Sequence, residues 1–518
     1  MIRRRGRRRR AAVAALAIVT LVALSGCLPP LEQVTPTASG AWPGGSGAGT
    51  SVAPGDSPVY GQSLNWSTCG ELECATIKVP LDWSEPNGQT ITLQLNRAKA
   101  RKPDERLGSI LINPGGPGGS GLDLTSYFVG FAGDTLLDHY DIVGFDPRGV
   151  GKSTPINCGT TKELDAYFTS QDIAETAADV TKFGEVNAAF AAHCRDLSGP
   201  LIENVDTASA ARDMDVIRDA LGDVKLNYLG FSYGTQLGAT YATLYPQNVG
   251  RFVLDGAVDF LLSEQDLSEG QAKGFESSLD AYIADCLTQA NCPLPHDPDL
   301  AKRAIRDLIV KARDEGIPTG GETLNGTLIV YGIVVTLYSE TDWQYLTQAF
   351  DEALKQGTGR MFLQLASFYL GRDDKGNYQD NSTEAYTAIT CLDTPKQAPQ
   401  TIDDIRAFRK TAQAASPTFG WWFAAGVGCD GWPWHAHEIV QDLSPSAAAG
   451  PILIVGTTGD PATPLAWAQA LAEQMPSSTL LVYDGQGHTA YGRSNKCILD
   501  TVDAYFVDGT IPDSGKTC

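Results

Sequence analysis

Gly230-Phe231-Ser232-Tyr233-Gly234 sets a serine between two glycines. The run Lys225–Leu229 before it has the make-up of a short strand. Thr235 to Tyr245 after it, rich in Ala, Leu and Tyr and stopped by Pro246, has that of a helix. A serine on a tight strand-to-helix turn stands clear of the backbone, and the glycines permit the close approach and strained dihedrals the turn needs. A serine hydroxyl is a poor nucleophile at neutral pH and needs a base. The usual base is a histidine held in one tautomer by a carboxylate. The chain has six histidines. His139, His193 and His296 carry no flanking signature. His435 and His437 form an H-x-H pair without a compelling third ligand, so no metal site is expected. His488, in Asp484-Gly-Gln-Gly-His-Thr-Ala490, follows a strand-like run, and Asp460, in Thr457-Thr-Gly-Asp-Pro-Ala-Thr-Pro464, follows another. Loops at the carboxyl ends of strands are where open α/β sheets place their chemistry. Ser232, Asp460 and His488 are therefore the candidate nucleophile, acid and base.

Attack on a carbonyl also needs donors for the developing oxyanion. One candidate is the main-chain N–H of Tyr233, next to the nucleophile. The other is Gly116, with Gly115 as its neighbouring rival, in Asn113-Pro-Gly-Gly-Pro-Gly-Gly-Ser-Gly121. Asp146-Pro-Arg-Gly-Val-Gly-Lys-Ser153 lacks the strict phosphate-loop spacing. Asp146 and Arg148 are expected to tie a turn beside the glycine loop.

These residues need a sheet to hold them. Thr76–Val79 and Thr90–Leu95 alternate as strands do. Ser109–Ile112, Asp141–Phe145, Arg251–Leu254, Pro451–Val455 and Thr479–Tyr483 are short apolar runs of the buried parallel kind. Helical stretches such as Ala208 to Leu221 lie between several of them, so the expected fold is α/β with a mostly parallel, doubly wound sheet. From Leu254 to Pro451 the pattern turns helical, over Ser263–Gln289, Asp299–Glu315, Thr341–Lys355, Gly359–Tyr369 and Ile402–Ala415. A helical cap over 261–440, inserted between late strands, is expected to divide the core into 62–260 and 441–518.

Seven arginines among residues 3–10 precede the apolar Ala11–Leu24, and Leu24-Ser-Gly-Cys27 follows. This reads as a lipoprotein signal peptide over 1–26, with Cys27 as the lipidated residue. Residues 27–61, rich in Pro, Gly, Ser and Thr, read as a flexible tether. Loss of the leader takes the net charge from −22 to about −29, a balance repelled by nucleic acid and anionic lipid. Membrane contact is then expected only through the lipid. Beyond Cys27 stand ten cysteines, an even number that in an exported chain points to disulfides. Spacing does not determine connectivity; pairing successive cysteines is the simplest arrangement. No C-x-x-C occurs, and no cofactor is implied.

Taken together, Asn113–Gly121, Asp146–Ser153, Gly230-Phe-Ser-Tyr-Gly-Thr235, Leu254-Asp-Gly-Ala-Val-Asp259, Ala388-Ile-Thr-Cys-Leu-Asp393 and Gly459–Pro464 resemble the secreted tripeptidyl aminopeptidases. These are α/β hydrolases related to prolyl aminopeptidases. The resemblance spans roughly residues 60–518. It implies a hydrolase core with a helical cap and release of short peptides from free N-termini through an acyl-enzyme. Asn113 departs from the histidine that prolyl aminopeptidases often carry there, and the lipid anchor departs from relatives that are released. Recognition of an α-ammonium calls for a cleft-facing carboxylate; Asp393, by its place in the resembling motif, and Glu384 are the candidates. Trp421, Trp422, Trp432 and Trp434 are expected to pack rather than line a pocket. Two other functions fit the same residues: an esterase or lipase using this triad, and a non-catalytic peptide-binding lipoprotein.

Overall fold

The computed structural model describes residues 57–518. The expected leader, the lipidation at Cys27 and the tether up to residue 56 lie outside the described residues.

Seven strands precede the long helical stretch: β1 (Ser67–Cys69), β2 (Leu72–Pro80), β3 (Thr90–Ala98), β4 (Gly108–Asn113), β5 (Tyr140–Phe145), β6 (Leu226–Phe231) and β7 (Val249–Asp255). A small hairpin, β8 (Ile317–Pro318) and β9 (Thr323–Leu324), stands apart. β10 (Ile452–Gly459), β11 (Ser478–Gln486) and β12 (Lys516–Thr517) complete a ten-stranded sheet in the order β1-β2-β3-β5-β4-β6-β7-β10-β11-β12. The β1–β2, β2–β3 and β3–β5 pairs are antiparallel; every pair from β5 to β12 is parallel. Composition explains the division. β4 and β5 are buried along their whole length and read as continuous apolar runs, whereas β3 alternates because one face is more open.

The chain runs from β4 outward to β5, then returns past β4 to β6. That reversal opens a crevice at the carboxyl ends of β4 and β6, the kind of place where open α/β sheets bind ligands. Two helices leave it on opposite faces. α1 (Gly121–Phe128), with α2 (Asp134–His139), packs Phe128, Leu136 and Leu137 on one face. On the other lie α3 (Thr161–Phe168), α4 (Ala177–Ser198), α5 (Thr207–Leu221) and the helix that follows the elbow, α6 (Tyr233–Leu244).

Between β7 and β10 the regular elements, apart from the hairpin and short 3-10 or π turns, are helices: α7 (Glu264–Thr288), α8 (Pro298–Asp314), α9 (Gly326–Leu337), α10 (Trp343–Asp351), α11 (Arg360–Tyr369), α12 (Ser382–Asp393), α13 (Ile402–Ala415) and the single turn α14 (Gly420–Phe423). α7 is capped by Ser263, whose side chain accepts from the Asp266 N–H. Much of this stretch shares an apolar cluster of its own, from Phe275 to Phe419, that meets the Asp460 loop at Ala462. α15 (Leu465–Gln474) and α16 (Lys496–Asp508) close the chain over the two faces of the sheet.

α9 and α12 carry no helix in the reading from sequence. In α9, Leu328, Ile329, Val330, Ile333, Val334 and Leu337 are all buried, so the helix is apolar all round and shows no 3.6-residue stripe. The five disulfides join successive cysteines: 69–74, 158–194, 286–292, 391–429 and 497–518. Each secures a local segment.

Beside the glycine loop, Asp146 accepts from Ser120 Oγ at 2.6 Å and the Lys152 N–H at 2.7 Å, tying the two turns together. Arg148 does something different. It is fully buried, grips Asp213 through two 2.7 Å hydrogen bonds and donates to the carbonyls of Pro80, Leu81 and Asn204. The pair clamps β2 to α5 beneath the turn.

Candidate active site

β6 ends in Phe231, and Ser232 follows at φ 55°, the left-handed region that side chains seldom occupy. The turn is closed by the Ser232 N–H donating to the Asp255 carbonyl at 2.9 Å and the Thr235 N–H donating back to the Ser232 carbonyl at 2.8 Å. Gly230 is required by space, since a Cβ there would stand 2.3 Å from the Gly234 carbonyl oxygen.

Register brings the glycine loop to this turn, because Asn113 of β4 pairs with Gly230 of β6. A Cβ on Gly115 would meet the Phe231 carbonyl oxygen at 2.3 Å, the Tyr233 nitrogen at 2.9 Å and Ser232 Cβ at 3.0 Å. The Gly115 N–H is already taken by Asn113 Oδ1, at 2.9 Å. The N–H groups of Gly116 and Tyr233 donate to nothing among the described residues. Of the two rival glycines, Gly116 is therefore the one with a donor to spare, and Asn113 is a brace for the loop.

His488 follows β11, and Asp460 follows β10. His488 Nδ1 lies 2.9 Å from both carboxylate oxygens of Asp460. The N–H groups of Ala462 and Thr463 reach Oδ1 at 2.9 and 2.8 Å; Thr463 Oγ1 and the Thr489 N–H reach Oδ2 at 3.0 and 3.2 Å. Both residues are buried, Asp460 3% and His488 6% exposed, so their pairing is little screened by water. The acid holds Nδ1 as the protonated nitrogen and leaves Nε2 as the basic one. Nε2 makes no hydrogen bond among the described residues.

Asp255, at the end of β7, joins the two halves of the site. Its carbonyl receives the Ser232 N–H, and its carboxylate receives the N–H groups of Ala490, at 3.0 Å, and Tyr491, at 2.7 Å. Burial pushes its carboxyl up to about 6. The next residue, Gly256, lies where a Cβ would be 3.3 Å from His488 Cε1. Ser232 and His488 thus flank the same two residues.

The helical stretch reaches the site through Tyr338, just after α9. Its carbonyl accepts the His488 N–H at 2.8 Å, and its ring stands edge-on to the imidazole, centroids 5.2 Å apart. The first turn of α12 abuts the glycine loop: a Cβ on Gly118 would lie 2.5 Å from the Ser382 carbonyl oxygen and 3.1 Å from the Tyr386 nitrogen. Tyr338, Asp255 and Thr463 have no role in the reading from sequence. Thr463, inside the Asp460 motif, was the one within reach of spacing arguments; the others act through contacts between distant parts of the chain.

The two candidate carboxylates for substrate differ. Asp393 accepts from both the N–H, at 3.0 Å, and the hydroxyl of Thr207, whose Oγ1 also meets the Tyr233 hydroxyl. Glu384 spends Oε1 on the Cys158 N–H at 3.1 Å, and Oε2 makes no hydrogen bond among the described residues. Burial pushes each carboxyl up to about 7, with Asp206 adding to the rise at Asp393. Of the aromatic groups, Trp432 and Trp434 pack in the main core, and Trp422 packs edge-on to Tyr331. His435 Nδ1 lies 3.2 Å from the Thr394 carbonyl oxygen.

An elbow serine, a buried Asp–His pair beyond the next strands and a glycine loop on the neighbouring strand define a serine hydrolase. The chain belongs to the α/β-hydrolase family: residues 108–492 match the family described as the alpha/beta hydrolase fold. It is similar to the serine protease Hip1 of Mycobacterium tuberculosis, 35% identical over 89% of this chain and 92% of that one. It is as similar to the carboxylesterase B of the same organism, 35% identical over 91% and 92% of the two chains. The tripeptidyl aminopeptidase of Streptomyces lividans is 31% identical over 88% of this chain and 85% of its own.

Proposed function

We propose that the protein is a serine exopeptidase that releases short peptides, tripeptides foremost, from free N-termini. The observation that carries its acyl-transfer chemistry is the buried Asp460–His488 pair set against the Asp255–Gly256 corner that also receives Ser232. Ser232 attacks the scissile carbonyl as His488 Nε2 takes its proton. The Tyr233 and Gly116 N–H groups hold the oxyanion. The imidazolium, steadied by Asp460, protonates the leaving amine. Water activated by the same histidine then frees the acyl peptide.

Peptidase rather than esterase action is supported by the tripeptidyl aminopeptidase and serine protease relatives and by a helical cap, 261–440, that would restrict access to short chains. Glu384 is our choice for the substrate ammonium. It has an uncommitted oxygen and sits in the turn of α12 that abuts the glycine loop. Asp393, with both oxygens on Thr207, is the weaker choice. We further propose export under residues 1–26 and anchoring at the outer face of the cell membrane by lipid on Cys27, through the tether 27–61.

The carboxylesterase B relative, at the same identity, favours a second reading in which short acyl esters are the substrates. Turnover of an Ala-Ala-Pro chromogenic amide, its N-acetylated form and a short acyl ester separates the two. We expect the free peptide amide to be cleaved and N-acetylation to abolish cleavage. Turnover of the ester alone would replace the peptidase with an esterase, and cleavage of the acetylated amide would remove the exopeptidase.

A further inference from the structure

The leaving amine takes its proton from His488, so the leaving chain must lie on the His488 side of Ser232. On that side is a recess open to solvent and lined by Pro114, Leu124, Phe131, Phe231, His488 and Arg493 among others. Four of these walls are apolar. No residue of the helical stretch between β7 and β10 lines it, so the recess belongs to the core and not to the proposed cap.

Its walls are fixed. Phe131 packs against the Gly492 backbone, where a Cβ would stand 2.1 Å from its ring, and meets Phe128 edge-on with centroids 5.2 Å apart. The loop that carries Arg493 is held by Asp255 through the Ala490 and Tyr491 N–H groups, and the Arg493 N–H donates to the Ala490 carbonyl at 3.2 Å. The Arg493 side chain is exposed and makes no ion pair among the described residues within 4.0 Å. Its charge reaches Asp342, part-buried nearby, without contact. In a chain of net charge −22, a cation with no ion-pair contact at the rim of an apolar recess draws anionic groups to it.

We propose that this recess is the subsite for the first residue of the leaving peptide. It takes an apolar side chain against Phe131 and Phe231, and Arg493 receives that residue's carboxylate when it is also the last. Tetrapeptides with an apolar C-terminal residue are then the preferred small substrates. This inference rests on the peptidase reading above and adds the leaving-side specificity.

The test compares Ala-Ala-Pro-Phe bearing a free carboxylate with its C-terminal amide and with Ala-Ala-Pro-Gly, following tripeptide release by mass spectrometry. The enzymes are wild type, Arg493→Gln, Phe131→Ala and, as a control away from the recess, Lys496→Gln. Wild type is expected to favour the free carboxylate over the amide by about fivefold in kcat/KM, the size of an exposed charge pair. Arg493→Gln brings that ratio near one, Lys496→Gln keeps it, and Phe131→Ala narrows the preference for Phe over Gly. A ratio near one in wild type, or a ratio that survives Arg493→Gln, overturns the subsite while the peptidase stands. Ester turnover with no tripeptide released from any peptide overturns the peptidase, and the subsite with it.

Discussion

The Nδ1 of His488 is bound to a carboxylate that already accepts three main-chain N–H groups and the Thr463 hydroxyl. A carboxylate so held cannot swing away, and it fixes the tautomer that leaves Nε2 as the free nitrogen for the proton transfer proposed from Ser232. Asp460→Asn keeps the shape but puts an amide against Nδ1 and loses that tautomer. We expect kcat to fall by about ten-thousandfold with the thermal midpoint little changed, read from steady-state kinetics beside calorimetry. Ser232, Asp460 and His488 could be read from the sequence because each follows a strand and their order suits the chemistry. Asp255 could not. Its carboxylate serves Ala490 and Tyr491, more than two hundred residues away, and no local pattern marks such a pairing. At Asp393 the motif drew attention to substrate, and the structure adds that both its oxygens accept from Thr207, the first residue of α5.

At the scale of elements, the site is made by two adjacent parallel strands whose following segments diverge. β4 delivers the glycine loop and β6 the elbow, and their register leaves no room for a side chain between them. Gly115→Ala forces a Cβ to within 2.3 Å of the Phe231 carbonyl oxygen at φ 87°, so the loop must lift off the elbow and take the Gly116 N–H with it. The expected result is a loss of at least about a hundredfold in kcat with the circular dichroism spectrum retained, the size of losing one oxyanion donor. Gly321→Ala, where a Cβ meets nothing within 4 Å, is the control. The sheet was legible because its strands are continuous apolar runs between Gly- and Pro-rich turns. α9 was not, because a helix buried on every side loses the stripe that marks a surface helix. Tyr338, the first residue after it, escaped notice with it, and so did the contact between the helical stretch and His488.

Across the whole molecule, buried acids set the pH response. Burial raises Asp255 and Asp503 to about 6 and Glu264, Glu384 and Asp393 to about 7. Each binds its proton more tightly folded than unfolded. The folded chain therefore holds the extra protons between about pH 4 and pH 7, and stability falls as pH rises through that window. Carboxylates held low by partners, such as Asp138 beside Lys102 and Glu163 beside Thr160, lose their contribution only at lower pH. We expect the thermal midpoint, followed by calorimetry, to be higher at pH 5 than at pH 8; a midpoint that is flat or rises over that range contradicts the assignment of these acids. The most direct test of the whole account is to quench the full-length enzyme during turnover of an Ala-Ala-Pro ester and map the trapped acyl group by mass spectrometry. The account predicts an Ala-Ala-Pro adduct on Ser232 that is absent from Ser232→Ala, which should also fail to turn over the substrate. An adduct elsewhere, or full turnover by Ser232→Ala, contradicts it.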